Sequence, residues 1–114
     1  MAVTRARAAR TGSAKLARAR ELEPHAVAAA DLLRALANEQ RLMILCHLVQ
    51  GPLSVGQLNE RVPLSQSALS QHLAVLRESA IVRTRRKSQT ILYSLPEGVV
   101  TRLIDVLYKE FCKR

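Results

Sequence analysis

Apolar residues recur along this chain with two different periods, and the change of period divides it into helices and strands. Val27, Ala30, Leu33 and Leu36 share one face of a helix over residues 24–36, with Pro24 at its first turn. Ala37-Asn38-Glu39 interrupts the pattern, and Asn38 is placed to cap a second helix over residues 40–49. That helix is apolar nearly all round (Leu42, Met43, Leu45, Cys46, Leu48, Val49), as expected of a helix at the centre of a domain. Gly51-Pro52 ends it. Ser54 caps a short third helix that ends near Arg61 and turns Val55 and Leu58 inward. Val62-Pro63-Leu64 then forms a turn, and Ser65 caps a fourth helix over residues 66–79. Leu69, Leu73 and Leu76 form the apolar stripe of this helix, and Gln66, Ser67, Ser70, Gln71 and Arg77 lie opposite. Beyond it the period shortens. Residues 81–85 and 90–95 read as two strands, and the polar Arg86-Lys87-Ser88-Gln89 between them makes a β-hairpin with a basic tip. Pro96 opens a last helix carrying Val99, Val100, Leu103, Ile104, Val106, Leu107 and Phe111. Its apolar surface is wider than one face requires, a pattern of helices that pack on a second subunit as well as on their own core.

Composition narrows this picture. The 114 residues, 48% of them hydrophobic, suffice for one core and not for two, and with 3% aromatics that core is aliphatic. No apolar run approaches the ~20 residues needed to cross a membrane. The formal charge is +9, and residues 1–20 carry Arg5, Arg7, Arg10, Lys15, Arg18 and Arg20 with no acid. This Ala/Arg-rich segment has helix propensity but almost no apolar face. Residues 1–22 are therefore expected to be a disordered basic tail, at most transiently helical, ahead of a folded domain over residues 23–114. Two readings of the tail stay open, added phosphate contacts and an inert extension. Its composition also resembles a transit peptide, whereas the body of the chain reads as bacterial and cytoplasmic. So basic a chain seeks a polyanion, nucleic acid ahead of an anionic membrane surface. Cys46 and Cys112, far apart in the chain, do not make the disulfide framework of a secreted scaffold.

Four helices, a hairpin and a closing helix give a mainly α fold with a small β-hairpin wing, the winged helix-turn-helix plan. The second helix of the reading pair then enters the major groove with its N-terminal residues at base edges. Here those residues are Gln66, Ser67, Ser70 and Gln71. Gln pairs bidentately with adenine, and Ser donates to or accepts from several bases. Ser65 at the N-cap leaves backbone N–H groups for a phosphate. Arg83, Arg85, Arg86 and Lys87 on the wing suit phosphate or minor-groove contact. His72 has two readings, contact with a phosphate or base and packing at the domain edge. The expected partner is double-stranded DNA.

Residues 33–42 (Leu33-Arg34-Ala35-Leu36-Ala37-Asn38-Glu39-Gln40-Arg41-Leu42), residues 66–77 (Gln66-Ser67-Ala68-Leu69-Ser70-Gln71-His72-Leu73-Ala74-Val75-Leu76-Arg77), Ile81-Val82 and Tyr93-Ser94-Leu95 resemble the ArsR/SmtB family of repressors. The resemblance covers residues 29–111. It implies a homodimer joined through its first and last helices that binds an inverted-repeat operator and is released by an inducer. Metal-sensing members carry Cys-x-Cys on the third helix, or Asp and His along the last. Residues 52–58 hold no cysteine and Asp105 stands without a histidine on its helix, so no metal and no cofactor is expected. Cys46 within residues 41–46 and Cys112 at the end of residues 107–112 resemble instead the dithiol, BigR/SqrR-like branch. That likeness implies a Cys46/Cys112 switch in which a sulfane-sulfur inducer, a per- or polysulfide, bridges the thiols and weakens operator binding.

Taken alone, Cys46 also fits an inert packing role, because cysteine is among the most buried residue types. At Cys112, Lys109, Lys113 and Arg114 favour the thiolate while the negative helix end opposes it, so the direction of its shift stays open. Two other readings keep DNA binding: a repressor answering to a metal or other small ligand, and a non-specific nucleoid-type protein. No Cys-x-x-Cys, Gly-rich phosphate loop or His/acid dyad points to an enzyme.

Overall fold

The fold is given by a computed structural model that describes residues 2–112, with side chains described from residue 12 onward. The chain forms two units, residues 1–33 and 34–114. In the first, α1 (Ala2–Leu22) leads through a 3-10 turn (Glu23–His25) into α2 (Ala26–Leu36), whose last residues belong to the second unit. The basic segment expected to lack structure is therefore helical. Alanine and arginine are among the best helix formers and no proline interrupts them. Its described side chains, residues 12–22, are all exposed, as a helix without an apolar face requires.

The second unit contains α3 (Glu39–Leu48), β1 (Leu53–Ser54), α4 (Val55–Arg61), α5 (Gln66–Glu78), β2 (Arg83–Lys87), β3 (Thr90–Ser94) and α6 (Val99–Phe111). Side-chain caps set three of the helix starts. Asn38 Oδ1 accepts from Arg41 N at 3.1 Å, and Ser65 Oγ accepts from Ala68 N at 3.2 Å. Ser54 and Gln57 exchange reciprocal bonds in a capping box, at 3.1 and 2.9 Å. The core is aliphatic. Ile44, Leu45 and Leu48 of α3, Leu58 of α4 and Leu69, Leu73 and Leu76 of α5 are almost wholly buried, and Val100 and Ile104 of α6 close it.

Several expectations need correction. A third strand joins the hairpin: the sheet is antiparallel in the order β1-β3-β2, with Leu53 opposite Tyr93 and Ser54 opposite Leu92. The hairpin loop is only Ser88-Gln89, because β2 runs on through Lys87 opposite Thr90, and Ser88 takes a positive φ of 57° to close the turn. The last helix starts at Val99, not at Pro96. Gly98 N donates to Thr101 Oγ1 at 2.9 Å, and this bond fixes the helix start three residues beyond the proline. Finally, α3 is buried on one side only. Met43, Cys46 and Val49 on its outer flank are exposed.

The end of α5 controls where the wing begins. Ile81 N donates to Leu76 O at 2.9 Å and Ala80 N to Arg77 O at 3.0 Å, the two bonds of a Schellman ending. Ala80 takes the left-handed position with φ 58°, usually a glycine's place, and Ile81 is buried as the motif's apolar partner to Leu76 requires.

Leu69→Ala removes a side chain with no exposed surface and is expected to lower unfolding stability by about 2–5 kcal/mol. Urea denaturation at fixed protein concentration checks this, and a loss below 1 kcal/mol would mean that α5 is not anchored by its leucine stripe.

Candidate nucleic-acid interface and thiol pair

The leucine stripe of α5 turns its opposite side to solvent. Gln66, Ser67, Ser70 and Gln71 are all exposed, at spacings that keep them on one face. Ser65 spends its hydroxyl on the helix cap and lies 3.3 Å from Ser67 Oγ, so its side chain orders the first turn. His72 is half-buried, and its Nδ1 is 3.4 Å from Arg41 Nη1 of α3. Arg41 also donates from Nε to Ala35 O at 2.6 Å and from Nη2 to Arg34 O at 3.3 Å, so one guanidinium joins the end of α2 to α3 and α5.

On the wing, every residue of β2 is exposed. Strand alternation divides the cations between two faces: Arg83, Arg85 and Lys87 on one, Arg86 on the other. The wing can thus present positive charge on both faces, which suits a ribbon lying against phosphate walls.

Cys46 and Cys112 are free thiols, both exposed, and both open onto one cavity of about 650 Å³ between α3 and α6. Its walls are mainly apolar, with Leu42, Met43 and Val49 from α3 and Ile104, Leu107 and Phe111 from α6. Asp105 also lines it, while pairing at 2.9 Å with Lys109. Desolvation at the cavity wall pushes the Cys46 thiol up from its ordinary value, and negative charge on Cys112 pushes it further. Lys113 and Arg114, expected to act on Cys112, lie outside the described residues.

Residues 38–84 match the family model described as bacterial regulatory protein, arsR family. Transcriptional activator HlyU of Vibrio cholerae is 48% identical over 93 residues, 82% of this chain and 86% of that protein. This chain belongs to the ArsR family. A structure of reduced HlyU from Vibrio cholerae, 48% identical, superposes with a TM-score of 0.75 over 82% of this chain and 98% of the other. The structure of the transcriptional repressor BigR from Xylella fastidiosa, 43% identical, gives 0.76 over 83% and 97%. Winged helix-turn-helix architecture, DNA binding and transcriptional regulation follow, and the chain is not an enzyme.

Within this ArsR-family frame, α4 and α5 form the helix-turn-helix and β2 and β3 the wing. Among the described residues, no three His, Cys, Asp or Glu side chains cluster closely enough to hold a metal ion, and no helix is long and apolar enough to cross a membrane. Sequence reasoning missed Arg41, which closes the polar run Asn38-Glu39-Gln40-Arg41 and carries no local sign of its three partners. It also missed the cavity. The one available hint was that the last helix is apolar on more sides than its own core uses.

Burial is the larger cause of the Cys46 shift, so its thiolate forms at higher pH than that of an ordinary thiol. Iodoacetamide labelling followed by mass spectrometry should find Cys46 slow at neutral pH, with a rate that keeps rising as pH increases. Cys112→Ser removes the smaller cause, so the Cys46 profile should move to lower pH yet stay above that of a free thiol. A Cys46 profile matching free cysteine would contradict the desolvated site.

Proposed function

We propose that this chain is a homodimeric operator-binding repressor of the bacterial cytoplasm that senses per- and polysulfides through Cys46 and Cys112. The observation that carries this reading is the shared cavity: two free thiols, 66 residues apart in sequence, open onto one apolar space, and charge on Cys112 helps push the Cys46 thiol up. The name of one solved relative, reduced HlyU, supports a redox reading for this branch of the family.

In the proposed chemistry, a cysteine thiolate attacks a sulfane sulfur and expels a shorter sulfide, leaving Cys–S–SH. The second thiolate then attacks the cysteine-bound sulfur and expels hydrosulfide to give a disulfide. If the bound chain is longer, attack further out retains the intervening sulfurs as Cys–S(n)–Cys. The dithiol is oxidised by two electrons and the polysulfide is reduced to sulfide. A direct disulfide demands Cα atoms within about 7 Å, whereas each retained sulfur relaxes that limit. A thiol pair held beyond that limit is closed by polysulfide and not by peroxide.

Dimerisation is proposed from bare apolar surface. On α6, Val106, Leu107, Tyr108 and Phe111 are exposed, and on α2 so are Val27 and Leu33. A bridge from α3 to α6 then acts on a helix at the dimer interface. Two half-sites about 34 Å apart tolerate little misplacement of their reading helices. Ser65, Gln66, Ser67, Ser70 and Gln71, with Arg83, Arg85, Arg86 and Lys87, make the proposed DNA contacts. His72 supports α5 from behind. One observation favours a second reading, in which an apolar ligand is the inducer: a 650 Å³ cavity lies within the ordinary range for small-molecule sites.

Operator titrations with and without inorganic polysulfide test the thiol reading. Wild type is expected to lose at least about tenfold in affinity, ~1.4 kcal/mol, while Cys46→Ser and Cys112→Ser hold DNA in both conditions. Release of either variant by polysulfide would sink the dithiol mechanism and leave the ligand reading. The same assay tests the tail. Residues 23–114 alone are expected to select the same operator, with a salt slope shallower by up to about 5 if all six tail cations meet phosphates.

A further inference from the structure

Cys46 and Arg41 lie on the same ten-residue helix, α3, five positions apart and therefore well separated around its axis. One side of α3 opens onto the thiol cavity. The other reaches the reading helix through Arg41 Nη1 and His72 Nδ1, 3.4 Å apart. A guanidinium has no acceptor, so this contact is a hydrogen bond only when Nδ1 presents its lone pair. The remaining guanidinium bonds, to Ala35 O and Arg34 O, hold the group in one orientation. Between α3 and α5 the buried residues are Ile44, Leu45 and Leu48 on one side and Leu69, Leu73 and Leu76 on the other. Aliphatic packing of this kind resists separation but carries no directional bond across it. The Arg41–His72 contact is directional, and His72 directly follows Gln71 of the reading face.

We propose that the Arg41–His72 contact transmits the state of the thiol pair to α5, which makes Arg41 and His72 positioning residues of the switch. The inference rests on the Cys46/Cys112 reading. When a sulfur bridge draws Cys46 toward Cys112, α3 moves as a rigid rod and carries the Arg41 guanidinium with it. His72 either follows, rotating the Gln66/Ser67/Ser70/Gln71 face, or loses its partner and frees that helix. Both outcomes change the fit of the reading helix in its groove. Such coupling is an energy difference between states, so the ratio of affinities measures it and a single affinity does not.

The test is operator binding by the full chain in reduced and polysulfide-treated forms, with bridging checked by intact mass in each variant. Wild type, His72→Ala, His72→Gln and Arg41→Lys are compared. Gln offers its amide oxygen to Arg41, while Lys keeps the charge but loses the fork. The ratio of bridged to reduced Kd is expected to fall at least threefold from wild type in His72→Ala and Arg41→Lys, and to be largely retained in His72→Gln. If both affinities drop together and the ratio is unchanged, the contact is only structural and the relay is overturned. If wild type bridges yet keeps its operator, the thiol reading itself fails and the relay with it. A measurement without substitutions covers variants that do not fold: the His72 Nδ1 resonance of ¹⁵N-labelled wild type should shift on bridging, and an unmoved resonance overturns the proposal.

Discussion

The aliphatic seam among α3, α4 and α5 is the constraint on which the rest of this molecule depends. Ile44, Leu45, Leu48, Leu58, Leu69, Leu73 and Leu76 have almost no solvent contact and no polar atom beyond the backbone. With 3% aromatic residues in the chain, that seam has no large rings to anchor it. It relies on close interdigitation, in which a lost methylene is felt across the contact. The consequence for function is geometric. Burying the leucine stripe of α5 leaves its polar residues only one direction to face, and the Schellman ending at Ala80-Ile81 sets where the wing begins. The candidate DNA-facing surface is thus set by packing behind it.

Much of this was legible in the sequence because it is local. Asn38, Ser54 and Ser65 announce three helix starts by side-chain chemistry that acts within three residues. The leucine stripe of α5 has a period that only a helix satisfies. What was not legible is non-local. Leu53-Ser54 is a strand only because β3 lies beside it, and two residues carry no alternation to detect. Pro96 is a sound helix opener by itself, but the bond between Gly98 and Thr101 decides the start. For the tail, composition spoke both for helix and against an anchored one, and the structure follows the propensity. At the candidate site, the polar face and the wing cations were readable as residue types. Their distribution over two faces of a pleated ribbon needed the register.

The apolar excess of α3 is the instructive misreading. A helix apolar all round suggests complete burial, yet Met43, Cys46 and Val49 are bare. Periodicity reports how much of a helix avoids water in the working protein. It does not report whether a neighbour, a second subunit or a ligand excludes that water. Here the excess lines a cavity that holds both thiols, so a pattern that looked like core belongs to the site.

That placement bears on how a regulator of this family can answer to sulfur chemistry without a metal. A metal site needs three or four ligands brought together at fixed distances, and among the described residues no such cluster exists. A dithiol needs only two groups and a path between them. Its bridge is covalent, whereas a tenfold change in operator affinity corresponds to only ~1.4 kcal/mol. Bond strength is therefore never limiting, and the design problem is mechanical: the link must move something that matters. Joining the flank of α3 to the end of α6 satisfies this, because α3 packs on the reading helix and α6 offers bare apolar surface to a partner. Whether occupancy of DNA then represses or activates depends on where the operator lies relative to a promoter. That is consistent with one similar protein being named an activator and another a repressor, and under the proposed dithiol reading the thiol pair sets occupancy alone.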